Sequence, residues 1–203
     1  YKDILDQSNV SSGPALVDIL DKLMRMDVVA KEAPINDENN RKKSGYFISD
    51  NLSLFYYKYI FRNMSRMNIM DPDIFYDRYI ADDFETKYIP KCFERICKQY
   101  LIRKNRKGLM DEIFEKIGKY YYDDPVEKKN GEFDIVTLDD RGYIFYEAKF
   151  RKEPITESIV QNEIRQVKQT GLECYRYGFF SRSGFTCEEG TNRILIELRE
   201  LYK

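Results

Sequence analysis

Histidine is absent from the 203-residue chain. That excludes every catalytic arrangement in which an imidazole relays a proton to a serine or cysteine nucleophile. It also removes a common zinc ligand, and the four cysteines, Cys92, Cys97, Cys174 and Cys187, contain no CxxC pair. A zinc finger is therefore not expected. The cysteines read as reduced, mostly buried thiols of a cytoplasmic protein. Any metal site must rest on carboxylates and carbonyls, which suit hard ions such as magnesium, manganese or calcium.

Other absences narrow the field further. No apolar run approaches the length of a membrane span and no signal-peptide pattern opens the chain, so no membrane partner is expected. Acidic and basic residues nearly cancel, to a net charge of −1, which leaves no global field to attract nucleic acid. No Gly-x-x-x-x-Gly-Lys-Ser/Thr phosphate loop occurs, so these residues alone are not expected to hydrolyse ATP. The chain opens at Tyr1 inside a helical stretch without an initiating methionine, as expected of a piece of a longer protein.

What is present divides into two segments. Tyr1–Gln7 reads as a short helix. Ser11, Ser12, Gly13 and Pro14 then form a helix start, with hydroxyl caps and proline in the first turn. Leu16, Ile19, Leu20 and Leu23 make the apolar stripe of the helix that follows. A strand begins at Val28 and Val29, a polar loop covers Ala33–Ser44, and Gly45–Ile48 returns as a second strand. The order is that of a winged helix-turn-helix. Asn51–Met64 reads as one aromatic-rich helix whose rings serve packing. Met70, Asp71, Pro72 and Asp73 mark the joint, giving expected domains of 1–70 and 71–203.

The second segment opens with helices across Ile74–Leu101, followed by the basic residues Arg103, Lys104, Arg106 and Lys107. Leu109–Ile117 reads equally as helix or strand. Gly118–Tyr122 is a strand. Phe133–Leu138 and Tyr143–Phe150 form a hairpin across Asp139, Asp140, Arg141 and Gly142. Thr156–Gln169 is a helix, Glu173–Phe180 a strand, and Thr191–Tyr202 a closing helix. Interleaved strands and helices predict an α+β chain with a central mixed sheet in its second segment.

The chemistry-bearing pattern lies in the hairpin. Glu147 and Lys149 are two apart on one strand and share a face, while Ala148 points the other way. Twelve residues separate Asp134 from Glu147, enough for two strands and a tight turn. All three can therefore meet on one patch. Metal-dependent phosphodiester cleavage needs such a set: carboxylates to hold the ion and a cation to steady water or developing charge. The competing reading is a surface Glu147–Lys149 pair with an exposed Asp134. Glu132 is either an extra ligand or a solvated strand end. Glu94, on the earlier helix, either adds a carboxylate or faces solvent, and Gln166 could reach the site from the helix after the hairpin.

The order of motifs carries a resemblance. It runs from a winged helix and an aromatic helix through FERIC at Phe93–Cys97 to IGKYYY at Ile117–Tyr122. GEFDIV at Gly131–Val136, FYEAKF at Phe145–Phe150 and FFSRSGF at Phe179–Phe185 complete it. Together they resemble the C-terminal part of archaeal-type ATPases that ends in the domain of unknown function 234, itself similar to PD-(D/E)xK, restriction-endonuclease-like folds. The resemblance implies a winged helix followed by a nuclease-like α/β domain. It implies Glu94, Asp134, Glu147 and Lys149 as the active-site set, with Asp134 and Glu147 holding Mg2+ or Mn2+. It also implies an N-terminal P-loop ATPase domain as partner and the only route to ATP. Gln166 is not followed by the QxxxY pattern of exonuclease relatives. DNA is the expected substrate class, with Lys22, Arg25, Arg41, Lys42, Lys43, Arg103, Lys104 and Gln166 as candidate contacts. Asp18 and Asp21 counter the basic residues of the second helix, so the alternative is a non-catalytic module that docks on the ATPase domain or on a partner. Homo-oligomers are compatible with either reading.

Overall fold

The computed structural model describes residues 1–40, 42–124 and 129–203. The chain is α+β and forms two compact units. The first comprises Tyr1–Ala33 and Glu38–Glu85, and the second Pro34–Asp37 and Thr86–Lys203.

In the first unit, α1 (Lys2–Gln7) precedes α2 (Gly13–Arg25). Ser12 caps α2 by accepting the Ala15 amide, Pro14 occupies the first turn, and Leu16 and Leu20 are buried one turn apart. Strands β1 (Val29–Glu32) and β2 (Gly45–Ile48) pair antiparallel from Val29↔Ile48 to Glu32↔Gly45. The single helix expected over Asn51–Met64 is broken. It comprises α3 (Asn51–Phe55), a π turn (Tyr56–Ile60), a 3-10 turn (Phe61–Asn63) and α4 (Met64–Met67). Aromatic periodicity reports a helical face but not a change of helical pitch. At the π turn Tyr59 is buried, its ring against Phe55 and its hydroxyl donating to Asp83 at 2.6 Å. Helix α5 (Pro72–Tyr79) starts on the Asp71 carboxylate cap, and α6 (Ala81–Asp83) follows.

A π turn (Phe84–Tyr88) leads into α7 (Ile89–Arg106), where an unbroken run across Ile74–Leu101 had been expected. Neither a helix nor a full strand covers Leu109–Ile117. The chain is irregular until β3 (Lys116–Asp124), and Asn105 holds it by accepting the Phe114 amide and donating to its carbonyl. Then come β4 (Lys129–Asp139), β5 (Gly142–Lys149), α8 (Glu157–Gln169), β6 (Cys174–Ser181) and β7 (Arg193–Glu197). They form a five-stranded mixed sheet in the order β3-β4-β5-β6-β7. The first three strands are antiparallel neighbours, and β6 and β7 add parallel.

The closing helix expected over Thr191–Tyr202 is β7 followed by a 3-10 turn (Leu198–Tyr202). Ile194 and Ile196 suit a strand, and Leu195 alternates with them onto the other face, where a short apolar run reads ambiguously by spacing alone. Successive residues of β4 and β5 enter opposite cores. Val136 and Phe145 pack with Val160, Ile164 and Val167 of α8, whereas Ile135, Ile144 and Tyr146 pack with Phe93, Cys97, Tyr100 and Leu101 of α7.

The loop between β1 and β2 is not wholly polar packing. Ile35 lies in the α8-side core of the second unit, its amide bonded to the Lys119 carbonyl. Asn36 donates to the Tyr121 carbonyl and accepts the Tyr121 amide, occupying the edge of β3 as a partner strand would. Among the described residues, no helix is long and apolar enough to cross a membrane.

Candidate functional site

A β-bulge places Asp134. Gly118 pairs with Val136 and Tyr120 with Phe133, so Lys119 alone on β3 faces two residues, Asp134 and Ile135, on β4. Phe133 and Val136 consequently enter the same core cluster, although residues three apart in a regular strand face opposite ways. On the other side of β4, the antiparallel pairing with β5 ends at Ile135↔Tyr146. Asp134 and Glu147 are the next residues on their strands. The carboxylates thus sit where β4 and β5 part, just beyond the last pair of that ladder, while Glu147 stays paired with Phe179 of β6.

The charged side chains gather in two groups. In one, the Lys91 ammonium lies 2.7 Å from Glu94 Oε2 and 3.0 Å from Asp134 Oδ1, joining α7 to β4. Lys119 extends this group, 3.4 Å from Asp134 and 2.6 Å from Glu132. In the other, Lys149 lies 2.8 Å from Glu147 and 2.8 Å from Glu163 of α8. Asp134 connects the groups electrostatically, because its charge disfavours ionisation of both Glu94 and Glu147.

Burial and charge set the protonation of these groups. Desolvation pushes Glu147 up to about 7, with Glu163 adding to the rise and Lys149 opposing it. Glu94 is also raised by burial, against the pull of Lys91. Burial works against the charge of Lys149, but Glu147 and Glu163 more than offset it and hold its pKa above the ordinary lysine value. Lys91 and Lys119 are raised for the same reason, by Glu94 with Asp134 and by Glu132 with Asp134 respectively. Lys149 is therefore a fixed ammonium donor at neutral pH and not a proton acceptor.

The donor chemistry, carboxylate oxygen throughout, suits a hard divalent ion. The arrangement interposes ammonium groups between those oxygens. Among the described residues, no group of three or more Cys, Asp and Glu side chains is placed to hold a metal ion.

The structure brings Glu94, Asp134, Glu147 and Lys149 into one electrostatic neighbourhood, and adds Lys91, Lys119 and Glu163, which sequence reasoning missed. Lys91 stands three residues before Glu94 and Glu163 three before Gln166, so helical spacing could have found both. Lys119 required knowledge of the bulge. Gln166 is not part of either group and donates to the Tyr122 hydroxyl at 3.0 Å.

The basic residues expected at nucleic acid belong to both units. Lys22 pairs with Asp18 at 2.7 Å, and Arg25, Lys42 and Lys43 are exposed. Arg41 lies outside the described residues. Arg103 donates to the Leu201 carbonyl at 2.7 Å and lies over the Tyr100 ring, which Lys104 also approaches. Arg103 thus ties the C-terminal turn of α7 to the 3-10 turn at Leu201, while Lys104 stays against a ring of its own helix.

Comparison with known proteins agrees with this picture only at a coarse level. No solved structure matches the chain. Over 190 residues it is 29% identical to an uncharacterized protein of Methanocaldococcus jannaschii, an alignment that covers 91% of this chain and 41% of that protein. The chain thus spans less than half the length of this curated relative. Residues 56–167, from the aromatic helix to the end of α8, match the model of one family. The chain belongs to that family, DUF234, described as archaea bacterial proteins of unknown function.

Proposed function

We propose that the second unit is a PD-(D/E)xK-type, nuclease-like module acting on nucleic-acid phosphodiesters, carried by the C-terminal part of a P-loop ATPase-family protein. The observation that supports this most is the bulge at Asp134, which frees that carboxylate at the point where β4 and β5 separate and Glu147 begins its ExK run. Asp134 and Glu147 are the oxygen ligands for Mg2+ or Mn2+, with Glu94 behind Asp134. Such an ion, when bound, polarises the scissile phosphate and acidifies an attacking water. Lys149, permanently charged between Glu147 and Glu163, steadies the negative charge that develops on the phosphate. The first unit is a winged helix that contacts the DNA backbone through the exposed Arg25, Lys42 and Lys43, or docks on the ATPase domain.

A second reading has its own support. The carboxylates are already neutralised by lysines, which is what a non-catalytic docking or DNA-binding module regulating the ATPase would retain. Supercoiled plasmid incubated with the chain and Mg2+ or Mn2+ separates the two. The nuclease reading expects nicking that falls roughly 100-fold or more in Asp134→Asn and Lys149→Met. Intact plasmid with every protein, or equal cleavage by all three, supports the non-catalytic module instead.

A further inference from the structure

At the bulge the ladder between β3 and β4 is interrupted. Gly118 and Tyr120 have register partners on β4, and Lys119 between them has none. Its backbone is held from the opposite edge instead. The Ile35 amide donates to the Lys119 carbonyl at 2.8 Å. Asn36 brackets Tyr121, donating to its carbonyl at 2.8 Å and accepting its amide at 3.2 Å. Three bonds from residues 35 and 36 thus stand in, along this stretch, for the neighbour that an edge strand lacks. The Lys119 side chain meanwhile reaches Glu132 at 2.6 Å and Asp134 at 3.4 Å. Lys119 therefore meets residues 35 and 36 through its backbone and the candidate site through its side chain.

The connection back to the first unit has little slack. Pro34 is fully buried and Ile35 lies in the α8-side core. The proline ring fixes its own φ and biases Ala33 towards an extended backbone. Ala33 is the single residue between Pro34 and the end of β1 at Glu32, which pairs with Gly45 of β2. Ala33 and β1 belong to the first unit, Pro34–Asp37 to the second. A longer run separates Asp37 from β2. A shift of β1 therefore reaches Pro34 through one residue, and the return path offers no equally direct route.

We propose that Pro34–Asp37 is a strap through which the first unit controls the candidate site: displacing β1 draws the strap off β3, loosens the backbone at Lys119, and with it the hold of that side chain on Asp134. Any event in the first unit that moves β1 is thereby felt at Asp134. The strap is held by three hydrogen bonds and the burial of Pro34 and Ile35, far less than holds the five-stranded sheet, so it opens while the sheet stays folded. The coupling is the same whether or not Asp134 takes part in cleavage.

Hydrogen–deuterium exchange of the full 203-residue chain, resolved by peptide mass spectrometry, tests this without any turnover. Leu16→Ala/Leu20→Ala truncates the buried side chains of α2, a neighbour of β1, and leaves strap and site unaltered in sequence. It is compared with an insertion of Gly-Gly between Ala33 and Pro34, which adds about 7 Å of slack, and with the two changes combined. The α2 variant is expected to speed exchange over residues 116–122 and 132–136 roughly threefold or more, with 177–181 of β6 unchanged. The insertion alone is expected to keep the unsubstituted rates, and the combination to lose the gain. Faster exchange over 13–25 without any change over 116–122 overturns the strap, as does a gain that survives the insertion. If β6 loosens too, or residues 13–25 stay protected, Asn36→Ala decides. Exchange over 132–136 that rises while β6 stays protected upholds the coupling, and exchange that keeps the unsubstituted rate overturns it.

Discussion

Among the described carboxylates, Glu147 is the one whose surroundings most oppose its charge. Its carboxyl rises from an ordinary 4.5 to about 7, because burial outweighs the nearby Lys149. The folded chain therefore binds this proton more tightly than the unfolded chain does. The stability contributed by the neutral acid is complete below about pH 4.5 and is lost as pH rises through 7. Glu147→Gln mimics the neutral form at every pH. Its Tm relative to the unsubstituted chain should climb between about pH 5 and about pH 8. The gain is roughly 1 kcal/mol, after allowing for screening at a side chain that is 34% exposed. Thermal melts across that range check it, and a constant Tm difference would contradict the partly buried, proton-accepting Glu147. At this scale the chain was partly readable. Glu147 and Lys149 announce themselves through a two-residue spacing. Lys119 does not, because its approach to Asp134 depends on one extra residue in β4 that no periodicity reports. Arg103 misleads in the other direction, its place in a basic cluster suggesting phosphate although it holds the Leu201 carbonyl.

Among the elements, the β5–β6 pair depends on one glycine. Tyr146 and Gly178 are register partners, and a Cβ built at position 178 would stand 2.0 Å from Tyr146 Cδ1. The Tyr146 ring thus lies across the bare backbone of β6 and against Phe180. Gly178→Ala should therefore cost about 1–3 kcal/mol through overpacking, seen as an earlier urea midpoint. An unaltered midpoint would show that Tyr146 relocates freely. The same strand pair fixes how far Glu147 and Lys149 project, since Glu147↔Phe179 and Lys149↔Ser181 follow directly in register. Strand existence here was legible from apolar runs bounded by turns. The identity of β7 was not, because Arg193–Glu197 is too short for helical and extended spacing to differ, and its parallel partner β6 decides the matter. The π turns were illegible for a related reason: they alter pitch over a few residues within a pattern that stays helical.

Taken whole, the polypeptide passes between its two units more than once. Residues 34–37 leave the β1–β2 connection and belong to the second unit, after which the chain returns to the first until Glu85. A linear split at residues 70 and 71, natural from composition, would separate Ile35 from its core. Fold class was readable at this scale because it follows local patterning. Membership of the 34–37 segment was not, because a single isoleucine in a polar loop carries no sign of its distant partners.

That short segment has a kinetic consequence. Asn36 and Tyr121 are 85 positions apart, so their contact closes a long loop and repays its entropy late. The sheet and its helices can assemble first, with Ile35 arriving on β3 after the rate-limiting barrier. Ile35→Ala should then cost about 2–4 kcal/mol almost entirely as faster unfolding, with the refolding limb of the chevron unmoved. Slower refolding would instead place the segment inside the folding nucleus. With late docking, a few residues govern how long the folded second unit persists while having little influence on how fast it forms.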